Sequence, residues 1–591
     1  MILLKSMGIR ASLGATSFLF FIACSNDASR FDGGNGDATV NPVDGGGSDA
    51  VLGATDSGDP GGGCSADLRS VIGADGGVIE TCDPSSACSR GKCIPACEAA
   101  AVSKGNVGCT FLASTPSFIT NRKPPCYAVF VANAWPKDAA IKVERDGTTL
   151  DVTQFGRIAS ATGTAATWSK VPSTGIPPGE VGVLFLSHDT SGCPVTPAVT
   201  SSTAVYTGAA LATGRGRAFR ITSDVPVSAY DILPYGGASS FLPSAQLLFP
   251  TNAWGNNFVA ALPPSSNRGK REFEAHWAQV IANEDNTEVS IVPNVVLPSG
   301  TGVAQAPANV TTTYTLSAGE FIQWQNPGDM SGSVLSSNKP IAFMGGQTYL
   351  CWDTATTKGG GCDATHQLVQ PVSALGSAYV GVPYRTRLKD NSNESVSYRV
   401  VGAVDGTTLT FDPSILGAPA SLPLGTVVTF EATTAFSVRS QDASHPFFIA
   451  QIMAGYGPSI VAGDEEFTQL MPPEQFLPRY VFFTDPTYTE TYLTVVRAKG
   501  KAGFQNVNVA CSGNVSGFTS IGTGGDFEYA YVSLVKDGTG VGGCKNGPQS
   551  ASSAGSFGIT VWGLGPAASY AYPAGGNVAT INQVVVPAVP R

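Results

Sequence analysis

Pro371-Val372-Ser373-Ala374-Leu375-Gly376-Ser377-Ala378-Tyr379-Val380 is the middle copy of a phrase that the chain uses three times. Pro250-x3-Trp254-Gly255-x2-Phe258-Val259 precedes it and Pro472-x3-Phe476-Leu477-x2-Tyr480-Val481 follows in the same register. Gln246, Gln367 and Gln469 stand ahead of the three copies at nearly constant offsets. The prolines are 121 and 101 residues apart, so one supersecondary unit of about 110 residues is reused.

Two further phrases keep the same order. A turn phrase reads Arg145-Asp146-Gly147-Thr148-Thr149-Leu150, then Glu284-Asp285-Asn286-Thr287-Glu288-Val289, then Val404-Asp405-Gly406-Thr407-Thr408-Leu409. Alternating apolar residues flank it, as in Val289/Ile291 and Leu409/Phe411, which is the pattern of a hairpin whose turn needs a left-handed residue. The other phrase is Ser223-Asp224-Val225-Pro226-Val227, Ser337-Asn338-Lys339-Pro340-Ile341 and, more loosely, Ser444-His445-Pro446-Phe447. A proline opening an apolar strand occupies the position where a missing N–H does least harm. A partial fourth copy is predicted around Tyr492, Val507 and Phe557.

Glycine is abundant at 70 residues, charged residues are only 13%, and helical periodicity is weak, so the class is all-β. Each unit holds enough strands for a small sandwich or for nearly two propeller blades. No Gly/Ser or Pro linker separates the units. That continuity favours one propeller-like ring or continuous β body over residues 111–591, with tandem β-sandwiches as the alternative.

The segments before this body differ in kind. Lys5 and Arg10 ahead of an apolar run, closed by Phe21-Ile22-Ala23-Cys24, read as a lipoprotein leader over 1–23 with Cys24 as the lipidated residue. Ser25 after it fits sorting to a bacterial outer membrane, which makes the membrane itself a partner through the lipid. Residues 24–63, with seven aspartates against Arg30, read as a disordered acidic tether. Residues 64–110 carry six cysteines (64, 82, 88, 93, 97, 109) and few large apolar side chains, so cross-links replace a core there. Their connectivity is not legible.

With Cys24 set aside, twelve cysteines remain, an even number suited to disulfides in an oxidising compartment. Cys351 with Cys362 and Cys511 with Cys544 each close a loop rich in Gly and polar residues and are expected pairs. Zinc is disfavoured, because the four histidines (188, 276, 366, 445) form no ligand ladder, and no other metal or cofactor motif stands out. Without the leader, 32 basic side chains face 44 acidic ones, a balance of −12 that argues against a nucleic-acid partner. Arg268-Gly269-Lys270-Arg271 reads as a solvated basic loop and Asp464-Glu465-Glu466 as a solvated acidic one.

Taken in order, the phrases resemble the N-terminal domain family of IgGFc-binding protein. The resemblance rests on residues 223–259 and 337–380, on Thr407-Thr408-Leu409 and on the Cys351/Cys362 pair, and it extends over about 115–580. It implies a binding or adhesive role without catalysis, in a family with a mucus-associated animal member and bacterial surface members. No Fc-contacting motif is identifiable.

Catalytic signatures are missing or hollow. Gly538-x-Gly540-x2-Gly543 matches a dinucleotide fingerprint but runs into Pro548 where a helix should open. The best constellation is Cys351-Trp352-Asp353 with Cys362-Asp363-x2-His366 around Lys358-Gly-Gly-Gly361, an aromatic face with carboxylates and an imidazole suited to gripping a sugar or a cation. The reading is a non-catalytic binding or adhesion lipoprotein of the bacterial envelope with an extracellular glycan or protein ligand. The alternatives are a structural stalk and a carbohydrate-active enzyme on a propeller.

Overall fold

The computed structural model describes residues 63–589, apart from 66, 74–76, 104, 106, 120–125, 188–191, 200–211, 237–241, 270 and 326. The leader, Cys24, the tether up to residue 62, His188 and Lys270 lie outside the described residues.

One strand order is used four times, and the fourth copy is complete. In module II the first strand Gly255–Val259 and the third, Thr287–Val292, flank the N-terminal half of a long strand, Val334–Leu350. The second strand His276–Ala282 and the last, Asp363–Val369, flank its C-terminal half. The long strand therefore carries different partners along its two halves within one eight-stranded sheet, and Val289, Ile291, Trp324, Leu335 and Phe343 are buried in the module's core. Module I repeats this around Phe219–Leu233 and module IV around Gly547–Gly565. Module III splits the long strand into Phe436–Ser440 and Phe447–Met453.

The split explains the Ser-x-x-Pro phrase. Pro340 lies within the long strand, where pairing to the first strand jumps from Ser336 to Ile341. Pro226 lies in the matching jump from Thr222 to Val227, and Pro446 lies in the break of module III. The ladder is interrupted at each of these points, so the absent N–H costs nothing. Module IV makes the same jump, from Ser552 to Phe557, with Gly555 inside it and no proline.

The Pro-x3-aromatic phrase closes each module. Pro250, Pro371 and Pro472 cap short 3-10 turns that follow the last strand. A Cβ on Gly108, Gly255 or Gly376 would lie 2.4 Å from the Cβ of Pro250, Pro371 or Pro472 respectively, so each proline seats on the glycine that begins its own module. The aromatic then bolts the next first strand to its long strand. The Tyr379 hydroxyl accepts from Gly376 N at 2.9 Å and donates to Phe447 O at 2.8 Å, and Tyr480 does the same between Leu477 N and Phe557 O.

The last strands form the hub of the assembly. Ser244–Leu248 packs on Asp363–Val369, that strand on Glu466–Gln469, that on Ala568–Pro573, and the fourth returns to the first. Leu247, Leu368, Val380 and Phe476 bring all four modules into one apolar cluster. Phe130 and Tyr230 of module I stack on Phe483 and Tyr572 of module IV, with ring centroids 5.2 and 4.6 Å apart. The body is continuous and closed on itself. Its units, however, are sandwich-like and not four-stranded propeller blades, because in modules I, II and IV a long strand pairs with different partners along its two halves within a sheet of eight or nine strands, and in module III the two halves lie in separate sheets.

The cysteine-rich segment carries Cys64–Cys88, Cys82–Cys93 and Cys97–Cys109, and its helix, Ala96–Ser103, packs on module I. Trp135 of module I donates its indole N–H to Pro84 O at 2.7 Å. Residues 577–588 run back across the modules, where Asn577 N meets Gln475 O, Ile581 N meets Ser373 O and Val586 N meets Asn257 Oδ1.

Candidate functional site

The long strand of module II ends at Leu350, and the strand that reaches the hub begins at Asp363, so the intervening turn must reverse the chain over the ring. Cys351 and Cys362 are joined across its base, and Cys511–Cys544 and Cys126–Cys193 staple modules IV and I. Within the stapled turn Trp352 points inward. It is 8% exposed, belongs to the core of module II and donates its indole N–H to Ser397 Oγ at 2.9 Å. Asp353 stays at the rim, accepting from Gly359 N at 2.9 Å and facing Arg268 Nε at 3.2 Å.

Asp363 and His366 stand three residues apart on one strand and so face opposite sides of it. His366 Nε2 meets Asp231 Oδ1 of module I at 2.8 Å, and Asp231 also accepts from the Tyr127 hydroxyl and from Gln246. Asp363 turns instead towards Asp464 and Glu466. The four residues singled out in the sequence therefore do not converge, and Trp352, Asp363 and His366 are all buried.

The acidic run is the main departure from expectation. Asp464, Glu465 and Glu466 are buried, not solvated, because the module III strand that they open is covered by the hub strands of the other modules. Glu466 joins three modules, accepting from Ser244 Oγ of module I at 3.1 Å and from Ala571 N of module IV at 3.2 Å. Asp464 accepts from Tyr456 N at 2.7 Å, and Ser569 Oγ donates to the Asp464 carbonyl at 2.9 Å. Glu465 accepts from Trp352 N at 2.7 Å and from Arg268 at 2.5 Å. The Arg268 side chain is 9% exposed, so the basic turn is not solvated at this position: its first cation plugs the stapled turn.

Burial pushes the Glu465 carboxyl well above the usual range, with Asp464 adding to the rise and Arg268 only partly opposing it. Burial does the same to Glu466, and it also raises Asp485, against the hydrogen bonds from Thr487. Asp363 is raised by burial first and then by the charges of Asp464 and Glu466. Neither of its carboxylate oxygens has a hydrogen-bond partner among the described residues.

Reactions need access, and these carboxyls have none. A cleft of about 390 Å³ between modules I and IV runs along Ile158–Ser160, Ser169, Glu180 and Pro548 and is lined by one carboxylate, Glu180, where glycoside hydrolysis uses a pair. No group of three or more His, Cys, Asp or Glu among the described residues is arranged to hold a metal ion.

Residues 244–563 match the family described as IgGFc binding protein, more than half of the chain. The chain belongs to that family. The match opens on the first hub strand and closes within the long strand of module IV, so it spans modules II to IV of this IgGFc-binding fold. A human protein named IgGFc-binding protein is 26% identical over 329 residues, which is 55% of this chain and 6% of the human protein. The chain thus matches a small part of that relative's length. No solved structure matches. The family places the chain among binding proteins. The bacterial outer-membrane localisation expected from the N-terminal sequence is corrected here, because the human relative points away from a bacterial envelope.

The sequence carried one unread signal for the hub. Gln246, Gln367 and Gln469 mark the hub strands of three modules, and Gln367 Oε1 accepts from Gln469 N at 3.2 Å. Arg268 and Glu465 carried no such signal, since they meet across 197 residues of chain.

Proposed function

We propose that this IgGFc-binding family member is an exported, non-catalytic protein that captures an extracellular protein through the outer loops of modules II to IV. The observation that supports this most is the burial of Asp363, Asp464, Glu465 and Glu466 at the hub, which leaves exposed turns as the surface a partner can touch. Those turns recur. Asp146 and Gly147 hold left-handed backbone at the tip of the hairpin between Ile141–Arg145 and Thr148–Leu150, Asn286 and Gly406 hold it in the turns that lead from the second to the third strand of modules II and III, and Leu416 is 98% exposed in module III. Six disulfides among the described cysteines support a working place outside reducing compartments. Because the relative is named for binding the Fc of IgG, an immunoglobulin Fc is the first ligand to try, with mucin-type glycans as the second.

The test immobilises the intact chain and passes IgG Fc, Fab and a glycan panel over it. Saturable binding of Fc or of a glycan, reduced by charge reversal at the Asp285 and Asp405 tips, supports capture. Turnover of any glycan in the same panel would replace the reading with an enzyme. Tethering through an acylated Cys24 is a separate proposal that rests on the N-terminal sequence, and Cys24→Ala should remove the lipid mass and membrane retention together.

A further inference from the structure

The hub gathers more acid than its surroundings neutralise. Asp363, Asp464, Glu466 and Asp485 are each at most 3% exposed, and no lysine or arginine among the described residues forms a salt bridge with any of them. The nearby cations are engaged elsewhere: Arg268 on Glu465 and Asp353, and Arg387 on Glu394.

Asp363 is the least supported of the group. It is fully buried where the module II hub strand begins, and neither carboxylate oxygen is hydrogen-bonded to any of the described residues. The amides of Leu242 and Ser569 approach it without reaching hydrogen-bond geometry. Module III faces it with Asp464 and Glu466, and module IV with Tyr488, whose hydroxyl also has no partner among the described residues. Further out, Asp485 and Tyr570 adjoin Tyr488, Tyr230 and Tyr572 stack on the module I side, and His366 is held by Asp231 on the other face of the strand.

A charged carboxylate in this position would face two acidic neighbours with no hydrogen bond among the described residues to offset them, whereas a protonated one is neutral and adds a donor to the cluster. We propose that the hub is a proton-operated lock: a proton on Asp363 holds the four hub strands together, and its loss beside Asp464 and Glu466 loosens the closed ring.

The direction follows from linkage. Asp363 and Glu466 bind their protons more tightly folded than unfolded, through burial first and, for Asp363, the neighbouring acids second. Their contribution to stability is fully present below the ordinary carboxylate range near pH 4 and is lost as pH rises through the raised values. Asp363→Asn keeps the shape and cannot ionise. The ring therefore tightens in mildly acidic surroundings and slackens towards alkaline ones, which would make presentation of the outer loops pH-dependent.

The test melts the full chain from pH 5 to 8.5 as wild type, Asp363→Asn and Glu466→Gln, each with EDTA and with calcium chloride. The wild-type midpoint should fall across this range, and Asp363→Asn should cut that fall to about half or less, with its advantage growing at high pH. Exchange of the amides in the four hub strands, corrected for intrinsic rate, should speed up with pH more steeply in the wild type than in Asp363→Asn. Should Asp363→Asn not fold, Glu466→Gln carries the same comparison of slopes. An unchanged slope in the folded variants overturns the lock. A wild-type midpoint raised by calcium, lowered by EDTA and insensitive to both in Asp363→Asn also overturns it, in favour of a bound cation.

Discussion

Replacing Phe483 by alanine should cut the ring at one seam. The side chain is 2% exposed, its ring centroid lies 5.2 Å from Phe130 of module I, and its edge meets Trp168 at 6.0 Å. Losing the buried ring forfeits about 2.5 kcal/mol of transfer free energy, and the space left between two rigid sheets adds about 2 kcal/mol, for a total of about 4.5 kcal/mol. This loss falls on the contact between modules I and IV, not on the interior of either. Calorimetry of the wild type should give one cooperative transition across the described body. Phe483→Ala should lower the melting temperature and broaden the transition, with a calorimetric enthalpy exceeding the van't Hoff value as module I melts ahead of the others. Tyr314→Ala is the control, because Tyr314 packs edge-on to Trp324 of module II in a different core cluster from Phe483. It should lower the midpoint without splitting the transition. Identical single transitions in both variants would refute the idea that closure between modules I and IV couples the ring.

Glu394→Gln removes the partner of Arg387, whose side chain is 1% exposed, and should destabilise the fold by about 3–5 kcal/mol in urea melts, because an unpaired charge stays buried. Burial raises the Glu394 carboxyl, but Arg387 more than offsets this and leaves it below its usual value, so its contribution is present at neutral pH and fades as pH falls through that lowered value, opposite in sign to the hub. Replacing Cys351 and Cys362 together by serine should cost about 3 kcal/mol by loop closure, and a loss below about 1 kcal/mol would mean that Arg268 and Asp353 already hold the turn. Trypsin acting on the native chain should cut after the exposed Arg271 and spare Arg268. The pieces should stay together in size exclusion, and release of a stable fragment starting at Glu272 would speak against a continuous body.

The β class, the repeat and the two expected disulfides in modules II and IV were legible because each rests on chemistry within a few residues. A left-handed turn residue, a proline at an interrupted ladder and a proline cap on a 3-10 turn leave the same local imprint each time. Module IV was half visible because Gly555 stands at its ladder jump, where modules I to III carry Pro226, Pro340 and Pro446. The binding site inferred around Trp352 failed to converge for a reason also present in the sequence: residues 363 and 366 on one strand cannot face the same way.

What the sequence by itself determined is the module, since strands, turns and caps are short-range and recur with the period. The hub was decided only by the tertiary structure. Asp464-Glu465-Glu466 and Arg268 have the composition of exposed loops, and nothing near them in the chain could bury them. The acidic run is buried because strands more than a hundred residues away, Ser244–Leu248 and Ala568–Pro573, close over it when the fourth module meets the first, Arg268 is buried on Glu465 of that run, and burial, unlike turn chemistry, is a property of the assembled ring.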